Sequence, residues 1–229
     1  MQKRLLCYIA FFLISSVGFA QKEEFKSHCQ ALTALMQGKN PFHVQYSITV
    51  HGKTQADGKA EEGTMKMELY KSGTNQEIKM GDLQEVLHRD KLTCVVNHEQ
   101  RSILLQRDTS YKGDNSILND LDVFADSAVS IQKIKKDGQT IYMLEYGSRF
   151  MYRKATFSFS NASGTLKSIY AEFAPGYSDS YAWMRVDYQL WDKGWKPSAD
   201  FPDMSKYLIV SAKKYKTQDS YKSYTLVQP

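Results

Sequence analysis

Apolar and polar positions alternate over most of this chain. Phe42, Val44, Tyr46, Ile48 and Val50 are interleaved with His43, Gln45, Ser47 and Thr49, the period of two that a half-buried β-strand produces. The same alternation returns at Met65, Met67 and Leu69. Short strands are then predicted around Ile78 and Met80, Val86 and Leu87, Leu92, Cys94 and Val96, and Ile103 and Leu105. Turns at Gly73-Thr74-Asn75, at Gly81-Asp82 and over residues 97–100 separate them. In the second half, Val129 and Ile131 precede Asp137-Gly138, a two-residue hairpin signal. It leads into a strand facing inward either with Ile141 and Met143 or with Tyr142, Leu144 and Tyr146. Ala155, Phe157 and Phe159 then alternate, turn through Asn161-Ala162-Ser163-Gly164, and continue as Ile169, Ala171 and Phe173. After Pro175-Gly176, Met184, Val186, Tyr188 and Leu190 alternate against Arg185, Asp187 and Gln189. Two last strands are predicted over 207–211 and 221–227.

Two segments change period. Over 22–37, Phe25, Cys29, Leu32 and Met36 recur at helical spacing, closed by Gly38 and Pro41. Over 114–127, Ile117, Leu121, Phe124 and Ala128 form a stripe with Leu118 and Ala125 beside it, and Asp114, Asn115 or Ser116 supplies the cap. A large antiparallel sheet with one apolar face cannot leave that face in water, and two amphipathic helices cover only part of it. The expected fold is therefore mainly β: an incompletely closed antiparallel β-barrel, a half-barrel, with an amino-terminal helix and an inserted helix over its concave face. No linker divides residues 21–229, which read as a single domain.

Composition adds an address. Lys3-Arg4, an apolar run through Val17 and the small-residue end Gly18-Phe19-Ala20 form a secretory signal peptide over residues 1–20, cut after Ala20, which places the protein in the periplasm or outside the cell. The net charge is +5, of which Lys3 and Arg4 are part, too little to indicate nucleic acid as a partner. Positive charge gathers near the carboxyl end, where Lys206, Lys213, Lys214, Lys216 and Lys222 face Asp219 alone. Lys213, Lys214 and Lys216 either guard an exposed sheet edge or meet an anionic membrane face or an acidic partner protein. Export also puts Cys29 and Cys94 in a disulfide-permissive compartment. Cys29 shares the helix stripe and Cys94 shares strand parity with Leu92 and Val96. Both are expected to face one core and pair as a disulfide, the alternative being two buried thiols.

Catalytic motifs are absent. In His98-Glu99-Gln100-Arg101-Ser102, Ser102 stands where a metalloprotease helix needs its second histidine. Gly52-Lys53-Thr54 lacks the preceding glycine and following helix of a phosphate loop. There is no G-x-S-x-G elbow and no C-x-x-C pair. His43 and His51 stand too far apart to hold one ion and read as solvated surface side chains. No catalytic residue, metal or cofactor is assigned, and the chain is not expected to be an enzyme.

The order of elements resembles the periplasmic lipoprotein-carrier (LolA-like) superfamily: signal peptide, amphipathic helix, long first strand, antiparallel run, inserted helix, second antiparallel run. The likeness is closest over 42–105 and in ATFSFSNASGTLKSIYAEFA followed by WMRVDYQLW. It implies a cavity that carries acyl chains or a lipidated protein. On the residues, the ligand side of the sheet would comprise Val44, Tyr46, Ile48, Met65, Met67, Leu69, Ile78, Met80, Phe157, Phe159, Ile169 and Phe173. Methionine suits such a surface because its unbranched side chain repacks around different chain lengths. A carrier of an apolar ligand is the leading reading. A non-catalytic interaction subunit of an envelope assembly is the alternative, and a hydrolase without a visible motif is a third class.

Overall fold

The computed structural model describes residues 2–52, 60–107, 121–211 and 214–228, with side chains from residue 20 onward. Strands β1 (Phe42–Gly52), β2 (Glu62–Ser72), β3 (Asn75–Met80), β4 (Gln84–Arg89), β5 (Leu92–Asn97) and β6 (Ser102–Arg107) follow helix α1 (Gln2–Gln37). Helix α2 (Leu121–Ser127) precedes β7 (Ala128–Lys136), β8 (Gln139–Tyr146), β9 (Tyr152–Ser160), β10 (Leu166–Phe173) and β11 (Tyr181–Asp192). The chain closes with β12 (Leu208–Ser211), β13 (Lys214–Thr217) and β14 (Thr225–Val227). Twelve strands hydrogen-bond in the order β14-β6-β5-β4-β3-β2-β1-β11-β10-β9-β8-β7, while β12 and β13 form a separate ribbon. The two ends of the twelve-strand order are unpaired with each other, so the sheet is open. The mainly β, incompletely closed architecture with helices is the fold class the periodicity predicts.

Contacts gather into two compact units. One, the helical unit, comprises Met1–Met36, Thr49–Gly63 and Asn115–Asp187; the other, the meander unit, comprises Gln37–Ile48, Thr64–Asp114 and Tyr188–Pro229. In the helical unit the stripe Phe25, Cys29, Leu32 and Met36 is buried, as helical spacing requires. Phe25 packs its ring 5.1 Å from Tyr142, 5.0 Å from Phe157 and 6.4 Å from Phe159. Phe124 of α2 reaches Phe157 from another side at 5.3 Å. Such aromatic contacts add about 0.5–1.5 kcal/mol each beyond area burial. The parity left open in β8 is settled: Tyr142, Leu144 and Tyr146 face the core. Asp137 and Gly138 both adopt positive φ, the twist that joins β7 to β8 without splaying them. Outside the core, Lys133 pairs with Glu24, and Lys26 Nζ lies 2.7 Å from Asp126 Oδ1, holding α1 against β7 and α2.

In the meander unit Leu87, Cys94, Val96, Ile103 and Leu105 form one buried face, closed by Tyr207 and Leu208. Met204, Tyr215, Tyr221, Tyr224 and Leu226 pack around it. The carboxyl-terminal segment is thus a cover for this face. One departure from expectation is β14, which joins β6 in parallel rather than antiparallel register, Leu226 opposite Ile103. A distant segment that has already crossed the sheet need not return by a hairpin. Another is β13, which the Lys-Tyr-Lys pattern hid.

The expected Cys29–Cys94 disulfide does not form: both thiols are free and buried. Each parity argument holds, but the chain builds two cores. Cys29 lies on the α1 stripe of the helical unit, and Cys94 lies between its cross-strand neighbours Leu87 and Leu105 in the meander unit. Burial pushes each thiol up to about 12. The expected first turn of the second helix, with Asp114, Asn115, Ser116, Ile117 and Leu118, lies outside the described residues, as does Lys213.

Candidate functional site

Register in the meander unit puts two chemically different faces on the same strands. Directly paired residues point the same way. Leu69 pairs with Ile78, Ile78 with Val86, Val86 with Val95 and Val95 with Leu104, an unbroken apolar row across β2 to β6. Leu69 is buried, Ile78, Val86 and Val95 are half-buried, and Leu104 is 41 % exposed. Met67 and Met80, paired with each other, lie beside the row on the same face. Met65, two residues further along β2, is 38 % exposed. The opposite face of β4 to β6 is the sealed core under Tyr207 and Leu208.

Two residues along each strand, the same face turns polar and is covered. Lys71, Gln76, His88 and Thr93 are successive cross-strand partners, and Lys71, Gln76 and His88 are buried. His88 Nδ1 lies 2.9 Å from Thr93 Oγ1. Gln76 is 1 % exposed, and neither end of its amide has a hydrogen-bond partner among the described residues. A buried amide left so costs about 1–3 kcal/mol per unmet group.

The predicted ligand residues divide accordingly. Val44, Tyr46, Ile48, Met65, Met67, Leu69, Ile78 and Met80 fall in the meander unit, and alternation places them on the face of the apolar row. His43, of opposite parity in β1, stacks on Tyr70 of opposite parity in β2, 4.0 Å between centroids, which puts Val44 and Leu69 on one common face. Tyr46 stacks on Tyr188 at 5.5 Å. Phe157, Phe159, Ile169 and Phe173 belong to the helical unit. The first three are fully buried, while Phe173 is half-buried and its ring lies 5.2 Å from Tyr152. Val86, Val95 and Leu104 are absent from the predicted ligand side because each stands beside a residue of the sealed core. The signal was in the runs Cys94-Val95-Val96 and Ile103-Leu104-Leu105, since a strand apolar on consecutive residues has both faces covered or engaged.

The covered face is tied down by charge. Glu85 receives Lys206 Nζ at 3.3 Å and His98 Nε2 at 3.5 Å. Burial alone would raise its carboxyl, but the Tyr207 hydroxyl, Lys206 and Lys79 outweigh burial and hold it below the ordinary carboxylate value. His98 Nδ1 lies 3.0 Å from the Tyr224 hydroxyl, fixing the approach to β14. The expectation of solvated histidines on β1 is corrected here. His43 is buried under Tyr70, and burial lowers its imidazole despite the nearby Glu68 carboxylate. His51 stacks one ring face on Trp183 at 5.1 Å but stays partly exposed, its Nδ1 3.5 Å from Glu62 Oε2, so the expectation fails for His43 and holds in part for His51. Among the described residues, no three His, Cys, Asp or Glu side chains come together as a metal site, and no helix is long and apolar enough to cross a membrane.

No protein-family model matches the chain, and no curated protein matches it in sequence. Solved structures do. An uncharacterized conserved protein from Thermus thermophilus is similar at 7% identity and TM-score 0.46, covering 90% of this chain and 98% of its own. MucB, solved in complex with MucA, is similar at 12% identity and TM-score 0.38, covering 86% of this chain and 61% of its own. A LolA superfamily protein from Nitrosomonas europaea is similar at 13% identity and TM-score 0.37, covering 78% of this chain and 97% of its own. All three are remote from this chain in sequence.

Proposed function

We propose that this protein is an exported, periplasmic binder or carrier of an apolar, acyl-type ligand, held on the open face of β2 to β6. The observation that carries this reading is the contrast between the two faces of those strands. One is sealed by Tyr207 and Leu208, and the other keeps Val86, Val95 and Leu104 accessible in register. Contiguous accessible apolar surface of this kind marks an interaction site. Met65 and Met80 beside it, with buried Met67 between them, give a surface that adapts to chain length. The polar row beyond it is buried at Lys71, Gln76 and His88, so it bounds the apolar surface rather than adding to it.

The test is displacement of a fluorescent fatty acid together with stability. Val95→Asp is expected to weaken probe binding at least about tenfold, the loss of roughly 1.4 kcal/mol of contact, and to lower the melting temperature because Val95 is half-buried, so binding is read well below the variant's own transition. Gln76→Leu should raise stability by about 1 kcal/mol, because the unmet buried amide goes, and should leave probe affinity unchanged, because the side chain is not at the surface. Phe159→Trp, in the filled core of the helical unit, should cost about 1–3 kcal/mol and leave the probe affinity unchanged. A protein that binds no probe, or binds it equally well with Val95→Asp, loses the carrier reading. If it instead retains a stable protein partner that Val95→Asp releases, the face belongs to a subunit of an envelope assembly.

A further inference from the structure

On the covered side of the meander unit, away from the proposed ligand face, lies a cleft of about 470 Å³. Its rim carries Arg89, Lys91 and Arg107 with Asp90, and its wall is Leu92, Met204 and Tyr215. Three cations thus face one carboxylate over an apolar floor. The cations are placed by the sheet. Asp90 and Lys91 both adopt positive φ in the tight turn from β4 to β5, and Arg107 stands opposite Leu92 at the end of β6. Arg89 donates through Nη1 to the Asp200 carbonyl at 2.7 Å, and its Nε lies 3.6 Å from Asp90 Oδ2. A guanidinium has five N–H donors, so the anchored group still presents donors to the cleft.

The ribbon β12–β13 stands at the same place. Tyr215, which walls the cleft, is the cross-strand partner of Val210, and the two point the same way. Val210 is 65 % exposed and its neighbour Ile209 is 43 % exposed, while Lys214 and Lys216 flank Tyr215 with exposed side chains. Exposed aliphatic side chains beside clustered cations are the two components of reversible attachment to an anionic leaflet: apolar contact, and attraction of about 1 kcal/mol per basic residue.

We propose that this cleft and the β12–β13 ribbon dock the protein on an anionic lipid surface, with a lipid phosphate seated between Lys91 and Arg107 and Val210 entering the interface. The occupant is a membrane because charge complementarity alone would fit any anion, and the exposed Val210, on the Tyr215 side of the ribbon, fits one that offers an apolar layer, Ile209 and Lys216 lying on the other side.

Sedimentation of the full chain with vesicles decides it, comparing phosphatidylcholine alone with phosphatidylcholine containing roughly a third phosphatidylglycerol. Binding is expected only to the second, weakening as salt rises. The double variant Lys91→Gln with Arg107→Gln should bind about thirtyfold more weakly, the loss of two such charges, with an unchanged circular dichroism melt because both side chains are exposed. Val210→Ser should weaken it as well. Equal binding to both vesicle types, or no loss in the double variant, overturns the proposal. So does displacement by inorganic phosphate beyond that of chloride at equal ionic strength, which would make the cleft a site for a free anion. Retention of a glutamate-rich peptide with no vesicle binding would assign it to an acidic segment instead. The variants leave Val86, Val95 and Leu104 untouched, so fatty-acid binding and vesicle binding fail separately.

Discussion

Glu85 concentrates the electrostatics of the covered face, and its titration should be visible in stability. Its folded carboxyl titrates below its ordinary value of 4.5, so the native state binds fewer protons than the unfolded chain as the pH falls toward that range. The stabilisation is therefore fully present above about pH 4.5 and is lost as pH falls through the lower, folded value. Glu85→Gln is expected to be less stable than the native sequence by about 1–3 kcal/mol at neutral pH. The gap should close in acid, as the native carboxyl is itself protonated. Denaturant titrations at several pH values check this, and a gap constant with pH would remove Glu85 from the account. The thiols give a second residue-level expectation. Cys29 and Cys94 should resist a thiol reagent in the native protein, because burial keeps both protonated, and both should react once the unreduced protein is denatured. Failure to react after denaturation would restore the bridge.

Individual elements were legible where one period dominated. The α1 stripe, the strand at Phe42–Gly52 and the Asp137-Gly138 turn are set by spacing and by backbone conformation, both local properties. Where a strand is apolar on consecutive residues, spacing does not say which face is sealed. Cys94 and Val96 drew attention to the core, and Val95 between them passed unread although it lies on the candidate site. The side of β8 that faces inward was likewise undecidable locally, and Phe25 of α1 settles it by packing on Tyr142. The disulfide failed for a related reason. Parity tells that a side chain faces a core, and only tertiary structure tells which core. The buried polar row Lys71, Gln76 and His88 was invisible in sequence because polar residues on a strand ordinarily read as its solvent side.

Across the whole molecule, an open sheet leaves edges, and edges invite pairing with other chains. At one end of the order, β7 carries Lys133, Lys135 and Lys136 beside exposed Val129 and Ile134, charge set among apolar residues as edge strands require. At the other end the guard is β14 laid along β6. Removing residues from Thr225 onward should expose β6, and light scattering should then show concentration-dependent association of a chain that still folds. A truncated chain that stays monodisperse would show that β6 needs no guard.

That guard arrives late. His98 and Tyr224, which secure its approach, are 126 positions apart in the chain. A polypeptide emerging amino end first completes β1 through β6 long before the segment that shields them is available. During that interval the half-made meander has a bare ladder and an uncovered Leu87–Leu105 face, both competent to pair with a neighbouring nascent chain. The vulnerable species in the life of this protein is thus an incomplete one. Its yield should depend on how quickly synthesis delivers the final strands, or on a holding factor that occupies β6 until they come.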